Sequence, residues 1–437
     1  MNSPVPTAQG LDVRRLAPVL LRACIDRKLP VEDVIASNRD AQALEQRDRA
    51  LLSTLLLTAF RHLGEIDAVL AKLLDRPLPR KSGTAREILV LGVVQLLFLG
   101  MAPHAVIDLA VRSAKADRNA LHFSGLVNAV LRKVAQGGQA LREGLDIPRL
   151  NTPDWLWSRW VKSYGEDTTR RIAMAHGERP ALDISFKEDV AAWQKRLGGE
   201  LLPGNQLRLP LGHASVPELP GFGEGAWWVQ DTAATIPARL LGDARGRSIL
   251  DLCAAPGGKT LQLAAAGARV TAVDVSENRL RRVKENLERT GLVAEVVAQD
   301  LLSNEFGGEW DAVLLDAPCS ATGTIRRHPE LPWLKDEAQV KELSGLQRRM
   351  LRKSAQLVKP GGTLVYCTCS LEPEEGEIRA RGFLADHPEF EIVPASGIWL
   401  PEGALQPEGW VRTLPFMKYG TTEGMDGFFA VAMRRRA

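Results

Sequence analysis

The sequence predicts an all-α N-terminal domain, a small α+β segment, and an α/β domain built on a seven-stranded, mostly parallel, doubly wound sheet. Three observations predict it: apolar residues at helical spacing up to about residue 134, a change of pattern near residue 151, and regular strand–helix alternation after Asp243. The expected boundaries are 1–140, 141–240 and 241–437. A chain of 437 residues is long enough for two or three domains, and 45% hydrophobic with 25% charged residues is the composition of an ordinary soluble protein.

From residue 11 onward, Leu52, Leu55, Leu56, Phe60, Leu63, Ile66, Val69, Leu70 and Leu73 repeat at the spacing of one helical face. Breaks at Leu29-Pro30, Arg76-Pro77-Leu78-Pro79 and Ala102-Pro103-His104 divide the region into five to seven helices, and Gln136-Gly137-Gly138-Gln139 ends it. The strongest apolar stretch, 88–99, is interrupted by Gly92 and Gln95 and falls well short of the roughly 20 residues that span a bilayer. A buried helix is expected there, and no membrane partner. The start, Met1-Asn2-Ser3-Pro4-Val5-Pro6, has neither the basic region nor the apolar core of a secretory signal.

Between 151 and about 225, two helical patterns alternate with strand-like runs at 182–186 and 206–209. Trp155, Trp157 and Trp160 sit close together at helical spacing, which favours packing over base stacking. Strands of the large sheet are expected at 248–252, 269–273, 294–297, 312–315, 363–367, 390–393 and 427–433. Ligands of such sheets bind at the carboxyl ends of the strands, where strand order reverses.

Charge is informative only when divided. Residues 1–140 carry 19 Lys and Arg against 13 Asp and Glu, an excess of six, so the whole-chain +3 leaves −3 for the remainder. A basic helical domain suits a phosphate backbone, and equally an ordinary solvated surface. The five cysteines, at 24, 253, 319, 367 and 369, are an odd number without repeated metal-ligand spacing. Neither disulfides nor a metal is expected, and the compartment is the reducing cytoplasm.

The loop after the first strand, Cys253-Ala254-Ala255-Pro256-Gly257-Gly258-Lys259-Thr260, indicates the ligand class. Paired glycines allow close backbone approach before a helix whose N-terminus favours a carboxylate. A phosphate-binding P-loop would need glycine at Cys253, and Gly-x-Gly-x-x-Gly is absent. Asp274, ending the second strand, can accept from both hydroxyls of a ribose, and Asp300, after the third, from an adenine amino group. An adenosine carrying a carboxylate, S-adenosylmethionine, fits all three features, although each acid alone is an ordinary cap or turn residue.

Two thiols stand fifty positions apart, in Asp316-Ala317-Pro318-Cys319-Ser320 and Thr368-Cys369-Ser370, each after an apolar strand. Both should emerge at one sheet edge. C5 of cytosine is too weak a nucleophile to take a methyl group unless a thiolate first adds to C6, so two thiols beside a methyl donor point to pyrimidine chemistry. Cys24, Cys253 and Cys367 read as small buried hydrophobes. Arg326-Arg327-His328 follows the Pro-Cys loop and could clamp phosphates, or could be an exposed loop of ordinary charge.

These motifs, with Tyr366-Cys367 before the second thiol, resemble those of the RNA (cytosine-5)-methyltransferases, most nearly the bacterial members that act on 16S ribosomal RNA. Residues 89–99, Pro103-His104-Ala105 and Val127-Asn128-Ala129-Val130-Leu131-Arg132-Lys133 are similar to that family's NusB-like RNA-binding domain. The resemblance covers almost the whole chain and is weakest in the middle. It implies a Rossmann-like class I methyltransferase acting on a cytosine of small-subunit ribosomal RNA; a monomer is expected, although the sequence does not give the oligomeric state. It also implies that Cys369 attacks C6 and that Cys319 helps remove the C5 proton. DNA cytosine methyltransferases instead use the Pro-Cys thiol as nucleophile, and the presence of both motifs favours the RNA assignment. An unperturbed cysteine, with a pKa of about 8.5, is only a few per cent thiolate at neutral pH, so something must favour the anion. Asp316 would orient the base, either donating to N3 as the acid or accepting from N4 as the carboxylate. Lys259 would orient Asp316 or the donor loop, or lie in solvent. Where family members have Asp-Ile-Lys-Trp after His-Pro, this chain has Glu330-Leu331-Pro332-Trp333, so any contact of that lysine is in doubt. Gln230-Asp231 resembles a segment that approaches the cofactor, with its role open.

Overall fold

The computed structural model describes residues 8–79, 81–303, 308–397 and 399–437. The opening stretch Met1 to Pro6, read above for a signal, lies outside them. Two compact units result: Met1–Gly177 with His328–Asp336, and Glu178–Arg327 with Glu337–Ala437.

The first unit is helical. Its helices through Gly137 are Ala8–Arg27, Val31–Ser37, Arg39–Ala43, Gln46–Arg61, Leu63–Leu73, Ala85–Val93, Pro103–Ala116 and Ser124–Gly137. That is more than the five to seven expected, because several breaks carry neither Pro nor Gly: among them, Asn38 caps the third helix by accepting from Ala41 N (2.9 Å), and His62 leaves helical geometry at φ −117°. The apolar stretch is the expected buried helix, ending in a π-helical turn, Val94–Phe98. Leu52, Leu55, Leu56, Leu89, Val93 and Leu131 are all fully buried in its core. Among the described residues no helix is long and apolar enough to cross a membrane.

Three further helices, Ile147–Leu150, Asp154–Tyr164 and Glu166–Gly177, complete the bundle. Trp157 and Trp160 are buried, and Trp155 Nε1 donates to Pro332 O at 3.1 Å. The segment His328–Asp336 packs in this unit: Trp333 Nε1 donates to Phe60 O (3.0 Å), and Lys28 pairs with Asp336 at 2.8 Å. Glu330, first of the Glu330-Leu331-Pro332-Trp333 run, has its side chain buried beside Val31 N (3.5 Å).

The second unit opens on an antiparallel sheet of β1 (Leu182–Phe186), β2 (Glu200–Leu202), β3 (Gln206–Leu209) and β4 (Trp227–Val229), in the order β2-β3-β1-β4. Only β1 and β3 were legible as strands. The large sheet follows with β5 (Ser248–Leu252), β6 (Arg269–Asp274), β7 (Glu295–Ala298), β8 (Trp310–Asp316), β9 (Val358–Thr368), β10 (Phe390–Val393) and the short β11 (Val411–Thr413). A two-residue-per-strand hairpin, β12 (Lys418–Tyr419) and β13 (Thr422–Glu423), precedes β14 (Phe428–Arg435). Seven strands, the number expected, run in the order β10-β14-β9-β8-β5-β6-β7, and β11 adds an eighth on β14. Pairing from β9 through β7 is parallel, and β14 is antiparallel to its neighbours.

Alternation along the strands separates two cores. Ile249, Ala312, Leu314 and Val365 meet Ile236 and Leu263 on one face. Leu250, Val313, Leu315, Leu364 and Tyr366 meet Met350, Leu351 and Phe383 on the other. Strand order reverses between β5 and β8, so their carboxyl ends open the crevice in which such sheets bind ligands.

Candidate active site

At the end of β5, Cys253 takes a left-handed conformation (φ +61°) and Gly257 another (φ +106°), the second one that only glycine adopts freely. A Cβ on Gly257 would also stand 3.3 Å from Val283. The Ala255–Pro256 peptide between them is cis, and the helix Gly258–Ala265 starts immediately after. Its first N–H groups lack intrahelical partners and favour an anion. Ala254 N donates to Val273 O at 3.0 Å, tying the loop to β6.

Asp274 ends β6 and is 2% exposed. Its Oδ2 accepts from Ala255 N (3.3 Å) and its Oδ1 from Ser276 N (3.0 Å), while Arg279 lies 3.5 Å away. Asp300 accepts from Leu302 N (2.9 Å) and from Ser303 Oγ, and these bonds hold its carboxyl below the usual range. Each carboxylate oxygen has two acceptor sites, so one bond apiece leaves both acids able to accept from a ribose or an amino group. Glycine cradle, helix start and strand-end acids thus fit an adenosyl amino acid.

Lys259 does not lie in solvent. Its side chain is 11% exposed, and Nζ donates to Asp316 Oδ2 at 2.8 Å while lying 5.1 Å over the Phe428 ring. Burial disfavours the ammonium, but Asp316 more than offsets it and holds the group above its ordinary value. Asp316 Oδ1 accepts a weak bond from Cys367 Sγ (3.4 Å). Behind the pair, fully buried Asp251 accepts from Thr260 Oγ1 at 2.6 Å, and burial pushes its carboxyl up to about 7.

Asp316 is paired in register with Cys367, so the Pro-Cys loop and the end of β9 leave the sheet side by side. Cys319 Sγ and Cys369 Sγ are 3.4 Å apart, both partly exposed. The bond to Cys369, then burial, holds Cys319 well above the ordinary thiol range, and either sulfur can be the donor in the contact between them. The remaining cysteines are also thiols: burial pushes Cys24 up to about 12 and raises Cys253 and Cys367.

The expected phosphate-clamp residues part company. Arg326 is 6% exposed. Arg327 pairs with buried Asp426 at 2.5 Å, and Asp426 N in turn donates to Asp231 Oδ1 (3.0 Å). Burial, then the charge of Asp426, raises the Asp231 carboxyl to about 7. His328 belongs to the helical unit, 3.8 Å from Glu330. Gln230 is committed to Ser185, Trp228 and Gln262, and Asp231 caps the helix Thr232–Arg239 through Ala233 N.

Sequence reasoning missed the residues that hold the two cysteine loops together. Ser320 Oγ and Ser370 Oγ, each next to a cysteine, are 3.1 Å apart, and the Glu375 carboxylate accepts from Ser320 N at 3.0 Å. The available signal was Glu374-Glu375, two acids just after the Thr-Cys-Ser motif.

This fold with this donor loop defines an S-adenosylmethionine-dependent methyltransferase. Comparison with known proteins narrows the class. Residues 238–434 match the family model "16S rRNA methyltransferase RsmB/F", and residues 12–136 match that of the NusB family. A ribosomal RNA small subunit methyltransferase B from Klebsiella pneumoniae is 34% identical, over 98% of this chain and 99% of its own. The Sodalis glossinidius protein of the same name is 39% identical, over 79% and 83%. A solved methyltransferase homolog from Pyrococcus horikoshii is 29% identical with a TM-score of 0.54, covering 68% of this chain and 97% of its own. The chain belongs to the 16S rRNA methyltransferase RsmB/F family.

Proposed function

We propose that this enzyme methylates C5 of a cytosine in 16S ribosomal RNA, with Cys369 as the nucleophile. The observation that carries this reading is the pair of sulfurs 3.4 Å apart at adjoining strand ends beside Asp316. The Thr-Cys-Ser thiol leaves the end of β9, whose register with Asp316 sets it beside the donor loop.

Bound in the loop from Cys253 to Lys259, with Asp274 and Asp300 on its nucleoside, S-adenosylmethionine supplies an electrophilic methyl group. The Cys369 thiolate would form a bond to C6, and the C5=C6 π pair shift to C5, which would take the methyl carbon as its bond to the donor's sulfonium sulfur breaks, the pair returning to that sulfur and leaving S-adenosylhomocysteine. Asp316, ion-paired with Lys259, accepts from the N4 amino group and fixes the face of the ring. Of the two readings of Asp316 this is the one its cationic partner supports. Cys319 then gives its proton to the departing Cys369 sulfur, and its own sulfur, freed of that proton in the same step, takes the one from C5. The pair of the C5–H bond re-forms C5=C6, and the pair of the C6–S bond returns to sulfur. The net movement is one proton from C5 to Cys369, which returns to the thiolate by losing it to solvent.

The helical unit and the outward face of Arg327 would bind the RNA backbone. Methyl transfer to protein-free 16S ribosomal RNA, followed by digestion and mass analysis, should place the label in 5-methylcytidine at one position. A label on ribose or on a purine contradicts the reading.

A further inference from the structure

The mechanism needs Cys319 close to Cys369 and still carrying its proton, yet neither motif contains a residue that would enforce this. Cys319 lies on a loop, where a shift of 1 Å is cheap unless the backbone on both sides is held. It is held on both sides. Gln347 Nε2 donates to Pro318 O at 2.9 Å and to Glu375 Oε1 at 3.0 Å. The carboxylate of Glu375 accepts from Ser320 N at 3.0 and 3.2 Å and from Ser320 Oγ at 2.5 Å. Glu375 and Gln347 are both 0% exposed.

The same residue reaches the other cysteine through its backbone. Glu375 O accepts from Tyr366 Oη at 2.6 Å and from Thr368 Oγ1 at 3.2 Å, the latter one residue before Cys369. Buried polar groups that bridge two elements in this way fix their relative position, because breaking any bond strands a partner away from water. A buried carboxylate beside Cys319 has a second effect: it disfavours another negative charge there.

Resting on the assignment of Cys369 as nucleophile, we propose that Glu375 is a positioning residue that divides the labour between the two thiols. Its carboxylate locks the Pro-Cys loop against β9 and keeps Cys319 in the form that releases the product. Its charge adds to the bond with Cys369 in holding the Cys319 proton. Glu375 touches neither base nor methyl donor in this scheme.

The variants Glu375→Gln and Ser320→Ala test it in the full-length enzyme. Glu375→Gln keeps the volume and removes the charge; Ser320→Ala removes one donor to the carboxylate. Three quantities are read: kcat and KM for the methyl donor, the fraction of enzyme trapped on RNA through Cys369 during turnover, and the rate at which diamide oxidises the two thiols to a disulfide. In that oxidation the diazene takes up two electrons and two protons as the S–S bond forms; divided by the rate of single-thiol alkylation by iodoacetamide, which follows the thiolate fraction alone, the rate reports sulfur proximity without RNA, and this normalised rate is the one compared.

With Glu375→Gln, kcat should fall at least tenfold with the donor KM within twofold. The trapped fraction should rise, because release is the step that slows, and disulfide formation should slow at least fivefold. Ser320→Ala should move each quantity the same way by less. Unchanged disulfide formation, or a fall in kcat without a rise in trapped enzyme, overturns the proposal in either variant. Failure of the nucleophile assignment looks different: the wild-type enzyme would then trap no RNA on Cys369, while the oxidation rates would still separate Glu375→Gln from wild type.

Discussion

Replacing Lys259 by Met removes the cation that faces Asp316 and keeps an unbranched side chain one atom shorter. At 2.8 Å the pair has a gross attraction of about 6 kcal/mol at an effective dielectric constant of 20. Desolvation cancels much of that, and stranding one partner of a fully buried pair costs roughly 3–5 kcal/mol. Asp316 keeps 28% of its side chain exposed against 11% for Lys259, so water replaces part of the lost interaction and about 2 kcal/mol is the expected loss of stability. The Met thioether retains contact with the Phe428 ring now under the ammonium at 5.1 Å, which isolates the charge effect. If Asp316 orients the base, misplacing it by a comparable energy lowers kcat about 30-fold. Urea unfolding and methyl transfer at saturating RNA measure the two numbers. The double variant with Asp316→Asn separates the pair from each residue's own role, and its coupling energy should be at least about 1 kcal/mol. Strict additivity, or a Lys259→Met enzyme with normal kcat, refutes the assignment of Lys259 to Asp316.

Two further predictions follow from packing and from protonation. A Cβ at Gly323 would stand 1.8 Å from Gly427 O, so Gly323→Ala should push the Pro-Cys loop off β14 and cut methyl transfer more than tenfold while the donor still binds; isothermal titration and activity measure this. Asp251 carries a carboxyl raised by burial from 3.8 to about 7, so the native state binds its proton more tightly than the unfolded chain does. That stabilisation is full below pH 4 and is lost as the pH rises to 7, by up to about 4 kcal/mol. Asp251→Asn removes it, so the variant should gain stability relative to wild type between pH 4 and pH 8 in denaturant titrations; a constant difference across that range sinks the argument.

Most of the sheet was legible because its strands are apolar runs bounded by Gly, Asp and Pro, and β5 and β10 fall where the pattern placed them. What escaped had no periodicity to read. Three residues of β11 and three of β2 are too short for a pattern and exist by pairing with β14 and β3. Asn38 and His62 break helices through local geometry without Pro or Gly. At the site, Cys319, Cys369 and the donor loop were visible because strand ends and glycines announce themselves. Charge announces no burial: Arg326 and Arg327 read as a surface clamp, yet one is inside and the other pairs with a buried acid. Glu375 follows the same rule. Its partners are Ser320, Gln347, Tyr366 and Thr368, and only the folded chain brings those together.

The covalent step is open to direct observation. RNA carrying 5-fluorocytosine at the target cannot lose its C5 substituent, so the enzyme should arrest as a methylated adduct, and tandem mass spectrometry of the proteolysed complex should find the nucleotide on the peptide containing Cys369. With natural RNA, Cys319→Ala should accumulate the same linkage, whereas Cys369→Ala should form none. A nucleotide attached to Cys319, or normal methyl transfer by Cys369→Ala, would contradict the account.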